Sequence, residues 1–323
     1  MMKQISTLIQ DDLDRFRHEL EQSLKSEVGL INTVTRYIMK HKGKQFRPIL
    51  LLLSARMCGK PDDHCYKAAA MLEMLHVATL VHDDVVDDAT LRRGWPSINR
   101  IWRNKISILV GDYILSKSLI NMISLKSFPV LDIISKTAED LSSGEILQLE
   151  KSFRSTMDED TYFMMIYKKT ASLIGASCEL GALTSSGKES DRKALRTFGN
   201  NLGMAFQIKD DLFDLLGSES ETGKDHGTDV KKNMRTLPII YALSHLDRPS
   251  ARQLRRLLRS RRKNAAMLAQ LTDLVQRGGG FLHADQKLEE YSQAAKSAIA
   301  EYHASRYKQA LLDLVAFNAQ RKK

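Results

Sequence analysis

Residues 76–93 read H-V-A-T-L-V-H-D-D-V-V-D-D-A-T-L-R-R, and the rest of the chain is arranged about them. On a helix, Asp83 and Asp87 stand four residues apart on one face, with Asp84 beside them. Three carboxylates this close repel one another when ionised, so the cluster calls for a hard cation between them. Magnesium fits that need, because it takes oxygen ligands and keeps several waters for a phosphate partner. The spacing returns as Asp210, Asp211 and Asp214 in F-Q-I-K-D-D-L-F-D. One D-D-x-x-D is a weak signal, since many exposed helices carry one by chance. Each of these two lies in an apolar frame: Leu80, Val81, Val85 and Val86 around the first, Phe206, Ile208, Leu212 and Phe213 around the second. A solvated acidic face needs no such frame, so the pair predicts two helices buried around their acids.

The 323 residues include only 17 Gly and 6 Pro against 43% hydrophobic residues, with few alternating Val, Ile, Thr and Tyr runs. This predicts a largely helical protein able to bury a large core, read as a single domain over 1–323. Cys58, Cys65 and Cys178 sit in apolar or mixed surroundings without a C-x-x-C, which predicts reduced structural thiols and a cytoplasmic setting. The opening M-M-K-Q-I-S-T-L-I-Q-D-D-L-D lacks the pattern of a signal peptide, and no apolar run approaches the ~18 residues of a bilayer span. A net charge of +10 admits nucleic acid, an anionic membrane or a polyanionic substrate, and the placement of the charge has to separate them.

Residues 4–40 predict one or two amphipathic helices, with Leu8, Leu13, Phe16, Leu20 and Leu24 at helical spacing and a break near Gly29. In H-K-G-K-Q-F-R-P, Pro48 suits the first turn of the next helix, which puts Lys44 and Arg47 at a helix N-terminus. That is an anion site or an ordinary solvated basic loop. A long central helix is expected over 64–91, followed directly by Arg92 and Arg93, whose forked donors suit a metal-bound phosphate or the helix dipole. Further helices are expected over 105–124, with Asp112 beside Gly111, and over 128–152, where Glu145 and Gln148 share a face and need polar partners. Residues 160–186 carry Lys169 and Thr170 ahead of a small, apolar run. The loop G-S-E-S-E-T-G-K-D-H-G-T-D then offers Lys224 as a mobile cation. Near the end, Arg252, Arg255, Arg256 and Arg259 form a basic stripe beside Leu254, Leu257 and Leu258, either a solvated face or a peripheral contact with an anionic membrane. Without interleaved aromatic residues, no nucleic acid is expected.

These residues resemble the trans-isoprenyl diphosphate synthase family over nearly the whole chain. Besides the two aspartate motifs, G-K-Q-F-R-P, L-V-G-D-Y, G-E-I-L-Q, K-T-A-S-L and G-K-D-H-G-T-D occur in the family's order. The resemblance implies an all-α, single-domain bundle of ten or more mostly antiparallel helices around a central cavity, acting as a homodimer. It implies three magnesium ions held by Asp83, Asp84, Asp87, Asp210, Asp211 and Asp214. Arg92, Lys169 and Lys224 match the clamp on an allylic diphosphate, with Thr170 and Gln207 beside the allylic carbons. Lys44, Arg47, His76 and Arg93 match the metal-free site of isopentenyl diphosphate. One anion is thus held through metal bridges and the other by cations alone. The implied chemistry is ionisation of the allylic diphosphate, attack by the isopentenyl double bond, and loss of a proton to the departed diphosphate.

Two motifs depart from the family pattern. Lys42 and Gln45 stand where G-G-K-R-x-R-P has Gly and Arg, and Met234 stands at a usual lysine, with Lys231, Lys232 and Arg235 nearby. Every aspartate is kept, so an active enzyme is expected. Short-chain members carry a bulky residue four or five places before the first aspartate, where this chain has Ala78 and Thr79. A product of six or more isoprene units is therefore expected, growing along Ala78, Thr79, Leu75, Met74 and Met71, with Met71, Met74 or Met122 as the floor. The rival readings are a short-chain synthase, a class I terpene cyclase, which would not need Lys44, Arg47, His76 and Arg93, and a non-catalytic subunit of a two-chain synthase.

Overall fold

The acidic stretches take up the helical form their spacing predicts, in a chain whose elements are helices apart from one minimal hairpin among the described residues. The computed structural model describes residues 1–41, 43–154, 156–216, 230, 234–260 and 264–321. Two compact units divide the chain. One is Met1–Ala138 with Ala176–Arg196 and Tyr302–Leu311; the other is Glu139–Gly175 with Thr197–Glu301 and Leu312–Lys323.

The first unit begins with α1 (Met2–Leu8), α2 (Gln10–Leu24) and α3 (Gly29–Lys40). These are three helices where the sequence predicts one or two, because Ile9 also breaks the run and Gly29 opens α3. α4 (Phe46–Cys58) holds Pro48 in its first turn, where a missing N–H does no harm. Its leucines 50–53 are wholly buried, as in a helix apolar all round that serves as core. Such close packing needs Gly181, because a Cβ there would lie 2.3 Å from the Leu51 carbonyl oxygen.

α5 (Asp63–Val86) packs against α2, α4 and the later α6 (Ile98–Ser124). Asp62 caps its start, accepting from the Cys65 N–H at 3.0 Å. The helix ends at Val86 and not near 91 as the sequence predicts. Asp88 turns left-handed at φ 48°, the Ala89 N–H donates to the Asp84 carbonyl at 2.9 Å, and the Asp88 N–H donates to that of Val85 at 3.3 Å. This is a Schellman closure built on Asp instead of Gly. Asp87 still stacks over Asp83, its N–H on the Asp83 carbonyl at 2.8 Å.

A two-residue hairpin follows, β1 (Leu91–Arg92) against β2 (Trp95–Pro96). Arg93 (φ 53°) and Gly94 (φ 80°) form its turn, which is the positive-φ geometry that matches strand twist. α6 then runs with a break at Arg103 (φ 67°, ψ 163°), so its regular part starts close to the expected 105. Ser118 Oγ donates to the Met71 carbonyl at 3.2 Å, closing α6 onto α5.

α7 (Phe128–Arg154) leads to α8 (Glu159–Ile166), a π-helical turn (Tyr167–Ala171), α9 (Ser172–Leu183) and α10 (Glu189–Leu216). The remaining helices are α11 (Leu237–His245), α12 (Arg248–Arg259), α13 (Ala265–Arg277), α14 (Gly280–Ala298) and α15 (Arg306–Gln320). The second unit's core joins Tyr162, Ile208, Leu212, Leu254, Leu274 and Phe281. Leu254, Leu257 and Leu258 of α12 belong to it, so the leucines beside the arginine stripe are turned into the core while Arg252, Arg255, Arg256 and Arg259 are exposed. Burial pushes the Cys58, Cys65 and Cys178 thiols up to about 12, which keeps them protonated and inert.

Candidate active site

In the first unit the acidic end of α5, the hairpin and the start of α4 come together. Asp84 is buried, and its Oδ1 accepts from Arg92 Nε at 2.6 Å. Burial pushes its carboxyl up, and the Arg92 guanidinium opposes the shift. The hairpin is what allows this pair, because it folds Arg92 back over the helix it has just left. Asp83 is half-buried and Asp87 exposed. Within one motif, then, the middle carboxylate turns inward onto an arginine while its neighbours keep access to solvent.

Two turns before Asp83 on α5, His76 Nε2 accepts from Arg47 Nη1 at 2.7 Å. Burial first, then Arg47, Arg93 and Arg92, hold the imidazole well below its usual pKa, so it is neutral and carries its proton on Nδ1. Burial also pushes Arg47 down to about 10, with Glu73 opposing and Arg93 reinforcing the shift. Its Nε is buried without a hydrogen-bond partner. A buried guanidinium with an orphaned donor, beside a second arginine and a neutral imidazole, is a site made for an anion. Gly43 lets the Arg93 guanidinium lie against the backbone, since a Cβ there would be 2.4 Å from it. The hollow at this point has a polar lining of His76, Asp84 and Arg93 and an apolar one of Leu20, Ile38 and Leu80. Tyr37 braces its rim, donating to the Pro96 carbonyl at 2.7 Å. At the departure from the family pattern, Gln45 accepts from Arg17 Nε at 3.2 Å, so α2 brings a guanidinium to that position.

The second unit gathers a separate set of groups. The π-turn carries Lys168, Lys169 and Thr170, and such turns mark functional positions because they re-aim side chains within a helix. Gly144 admits it: a Cβ there would lie 2.9 Å from the Lys168 Cβ and the Lys169 nitrogen. Lys169 donates to Gln148 Oε1 at 3.0 Å and pairs with Glu145, giving that Glu and Gln the polar partners their positions demand. Thr170 Oγ1 donates to Gln207 Oε1 at 2.8 Å, and Gln207 Nε2 donates to Asp211 Oδ1 at 2.8 Å. Tyr162 Oη donates to Asp211 Oδ2 at 2.7 Å. Asp211 is 4% exposed, whereas Asp210 and Asp214 are half-buried.

Both motifs therefore sort their aspartates alike, with the first and last within reach of solvent and the second buried and bonded inward. Asp210 accepts from Arg321 Nη2, and the Arg321 guanidinium lies 4.2 Å from the centre of the Phe206 ring. Arg321 and Tyr162 are missed by sequence reasoning, since neither falls in a motif. Lys224, Lys231 and Lys232 lie outside the described residues. Ala78, Met71 and Met74 are buried along α5, Met122 is buried on α6, and Thr79 is half-buried.

Among the described residues, no three His, Cys, Asp or Glu side chains close around one metal position. The donors are nonetheless right for magnesium, being hard carboxylate oxygens at the ends of two helices. Magnesium is held in this way where substrate phosphates and water complete its shell.

Residues 28–275 match the family described as Polyprenyl synthetase. The chain is 39% identical over 243 residues to heptaprenyl diphosphate synthase component 2 of Geobacillus stearothermophilus, covering 75% of this chain and 76% of that one. It is 31% identical over 320 residues to the octaprenyl diphosphate synthase of Escherichia coli K12, covering 99% of each. The structure of a polyprenyl synthase from Caulobacter crescentus CB15, complexed with calcium and isoprenyl diphosphate, superposes with a TM-score of 0.92 at 30% identity, covering 100% of this chain and 98% of that one. This chain belongs to the polyprenyl synthetase family and is a prenyltransferase.

Proposed function

We propose that the protein condenses isopentenyl diphosphate with an allylic diphosphate, of the geranyl, farnesyl or geranylgeranyl class, in trans. The product is a long all-trans polyprenyl diphosphate of the kind carried by quinone side chains. The observation that carries this reading is the matched sorting of the two aspartate motifs, which keeps Asp83, Asp87, Asp210 and Asp214 within reach of solvent and hence of a cation. Magnesium, when bound, supplies positive charge to the leaving diphosphate. Arg92, anchored by Asp84, offers a forked donor to a diphosphate, and the family resemblance assigns Lys169 and Lys224 to the same role as point charges. Arg47, Arg93 and Lys44 hold the second diphosphate, with neutral His76 fixing the Arg47 guanidinium. Thr170 and Gln207 offer oxygen dipoles to positive charge developing on the allylic carbons. No side chain is needed as the final base, because the departed diphosphate can take the proton.

The test is incubation with isopentenyl diphosphate, magnesium and starters of increasing size, followed by sizing of the dephosphorylated products. Products of six or more units are expected, as is loss of elongation with EDTA. Turnover of the allylic substrate without isopentenyl diphosphate would instead establish a cyclase.

A homodimer is the expected assembly. Support comes from α6, where Ile108, Leu109, Leu119, Ile120 and Ile123 are each more than two-fifths exposed. α6 is also long and apolar enough to cross a membrane, although Asp112 and Lys117 interrupt it, which is why no unbroken apolar run of that length shows in the sequence. The relative named as component 2 of a heptaprenyl diphosphate synthase raises a second chain as the alternative partner. Activity of the purified single chain decides between them.

A further inference from the structure

Tyr162 has no part in the chemistry set out above and Asp211 enters it only as an implied magnesium ligand, yet the two end a chain of hydrogen bonds that begins at Thr170. A carboxylate only accepts, so the Gln207 amide must turn its Nε2 to Asp211, and the distance of 2.8 Å agrees. That leaves Gln207 Oε1 facing Thr170, which must direct its hydroxyl proton there, also at 2.8 Å. Tyr162, wholly buried, donates to the other carboxylate oxygen at 2.7 Å and holds the group in place. The backbone supports the arrangement. Gly203, one turn before Gln207 on α10, lets that helix touch the π-turn, since a Cβ there would be 2.5 Å from the Ala171 Cα.

We propose that Asp211 and Tyr162 are positioning residues that set the polarity of the Gln207–Thr170 pair, so that Thr170 turns oxygen lone pairs, and not a hydroxyl proton, towards the allylic carbons. A hydroxyl free to rotate would present its proton to a developing cation part of the time, and an amide free to flip would present its N–H groups. With the polarity locked, the favourable dipoles are in place before charge appears, which is where preorganisation lowers a barrier. Asp211 thereby serves the organic cation and not the metal. The proposal rests on the prenyl-transfer reading for the identity of that cation.

The test measures kcat, both KM values and the magnesium half-saturation for the wild type, Tyr162→Phe, Asp211→Asn, Thr170→Val, and Tyr162→Phe combined with Thr170→Val. Asp211→Asn can still accept from Gln207 through its oxygen while turning its NH₂ to the Tyr162 oxygen, so it keeps the polarity. Tyr162→Phe is expected to lower kcat about tenfold with both KM values and the magnesium half-saturation unmoved. In the Thr170→Val background the same change should cost less than about twofold, because the group it acts through is gone. Asp211→Asn should stay within about tenfold of wild-type kcat at unchanged magnesium dependence, whereas loss of a metal ligand would raise the magnesium requirement. An equal effect of Tyr162→Phe in both backgrounds would mean a merely structural tyrosine and overturn the proposal. A raised magnesium half-saturation in Asp211→Asn would overturn it by making Asp211 a ligand. Failure of the underlying reading looks different, because there the wild type itself would not elongate.

Discussion

His76 shows how a single half-buried residue links stability to pH. Its imidazole is held well below its ordinary pKa of 6.5, chiefly by burial and then by Arg47, Arg93 and Arg92. Between the folded and unfolded pKa values the unfolded chain binds a proton that the folded chain does not, so stability rises with pH there and is lost as pH falls below about 6.5. The slope from this one group approaches about 1.4 kcal/mol per pH unit. Urea unfolding at pH 7.5 and 5.5 should show wild type losing more than His76→Gln, and parallel losses would refute the assignment. Ala78 carries a second prediction at this scale. It is 1% exposed and lies on α5 ahead of Asp83, about 7.5 Å from it along the helix axis at 1.5 Å per residue. A ring placed there would meet a prenyl chain soon after it leaves the metals. Ala78→Phe should therefore shorten the products on thin-layer chromatography, and an unchanged distribution would remove α5 as the wall of the growing chain.

At the scale of elements, the helices that carry the aspartates are legible in the sequence because apolar spacing and acidic spacing agree there. How the elements end and bend is not. The Schellman closure at Asp88 uses a residue other than glycine, the Arg93–Gly94 turn hides in what reads as a helix terminus, and the π-turn at Tyr167–Ala171 has no signature in residue type. These irregularities place Arg92, Arg93, Lys169 and Thr170, so the motifs can be found in the sequence while their inward and outward partners cannot. Gly144 tests the π-turn. A methyl group there meets the Lys168 Cβ and the Lys169 nitrogen at 2.9 Å, the first bonded directly to the backbone and the second part of it, so neither gives way more than slightly. Gly144→Ala is expected to cost about 1–3 kcal/mol of stability and to lower kcat by displacing Lys169. An unchanged melting temperature and rate would mean that α7 does not hold the turn.

For the molecule as a whole, the distribution of exposed apolar surface is the main property that the site does not explain. Ile120 and Ile123 of α6 are 61% and 69% exposed, and Phe128 just beyond is 84% exposed. Scattered single residues of this kind are ordinary, but a run along one long helix argues for a covering chain. A bilayer is a poorer occupant, because Asp112 and Lys117 lie within the same helix and would have to be buried with it. If a second copy covers the face, Ile120→Glu combined with Ile123→Glu places two carboxylates from each copy, four in all, in an apolar contact, each costing at least about 2 kcal/mol, and the dissociation constant should rise by about five powers of ten or more. Sedimentation at micromolar concentration should then show wild type as a dimer and the double variant as a monomer with unchanged helical content. A monomeric wild type would overturn the assignment, and a dimeric double variant would move the interface elsewhere on the chain.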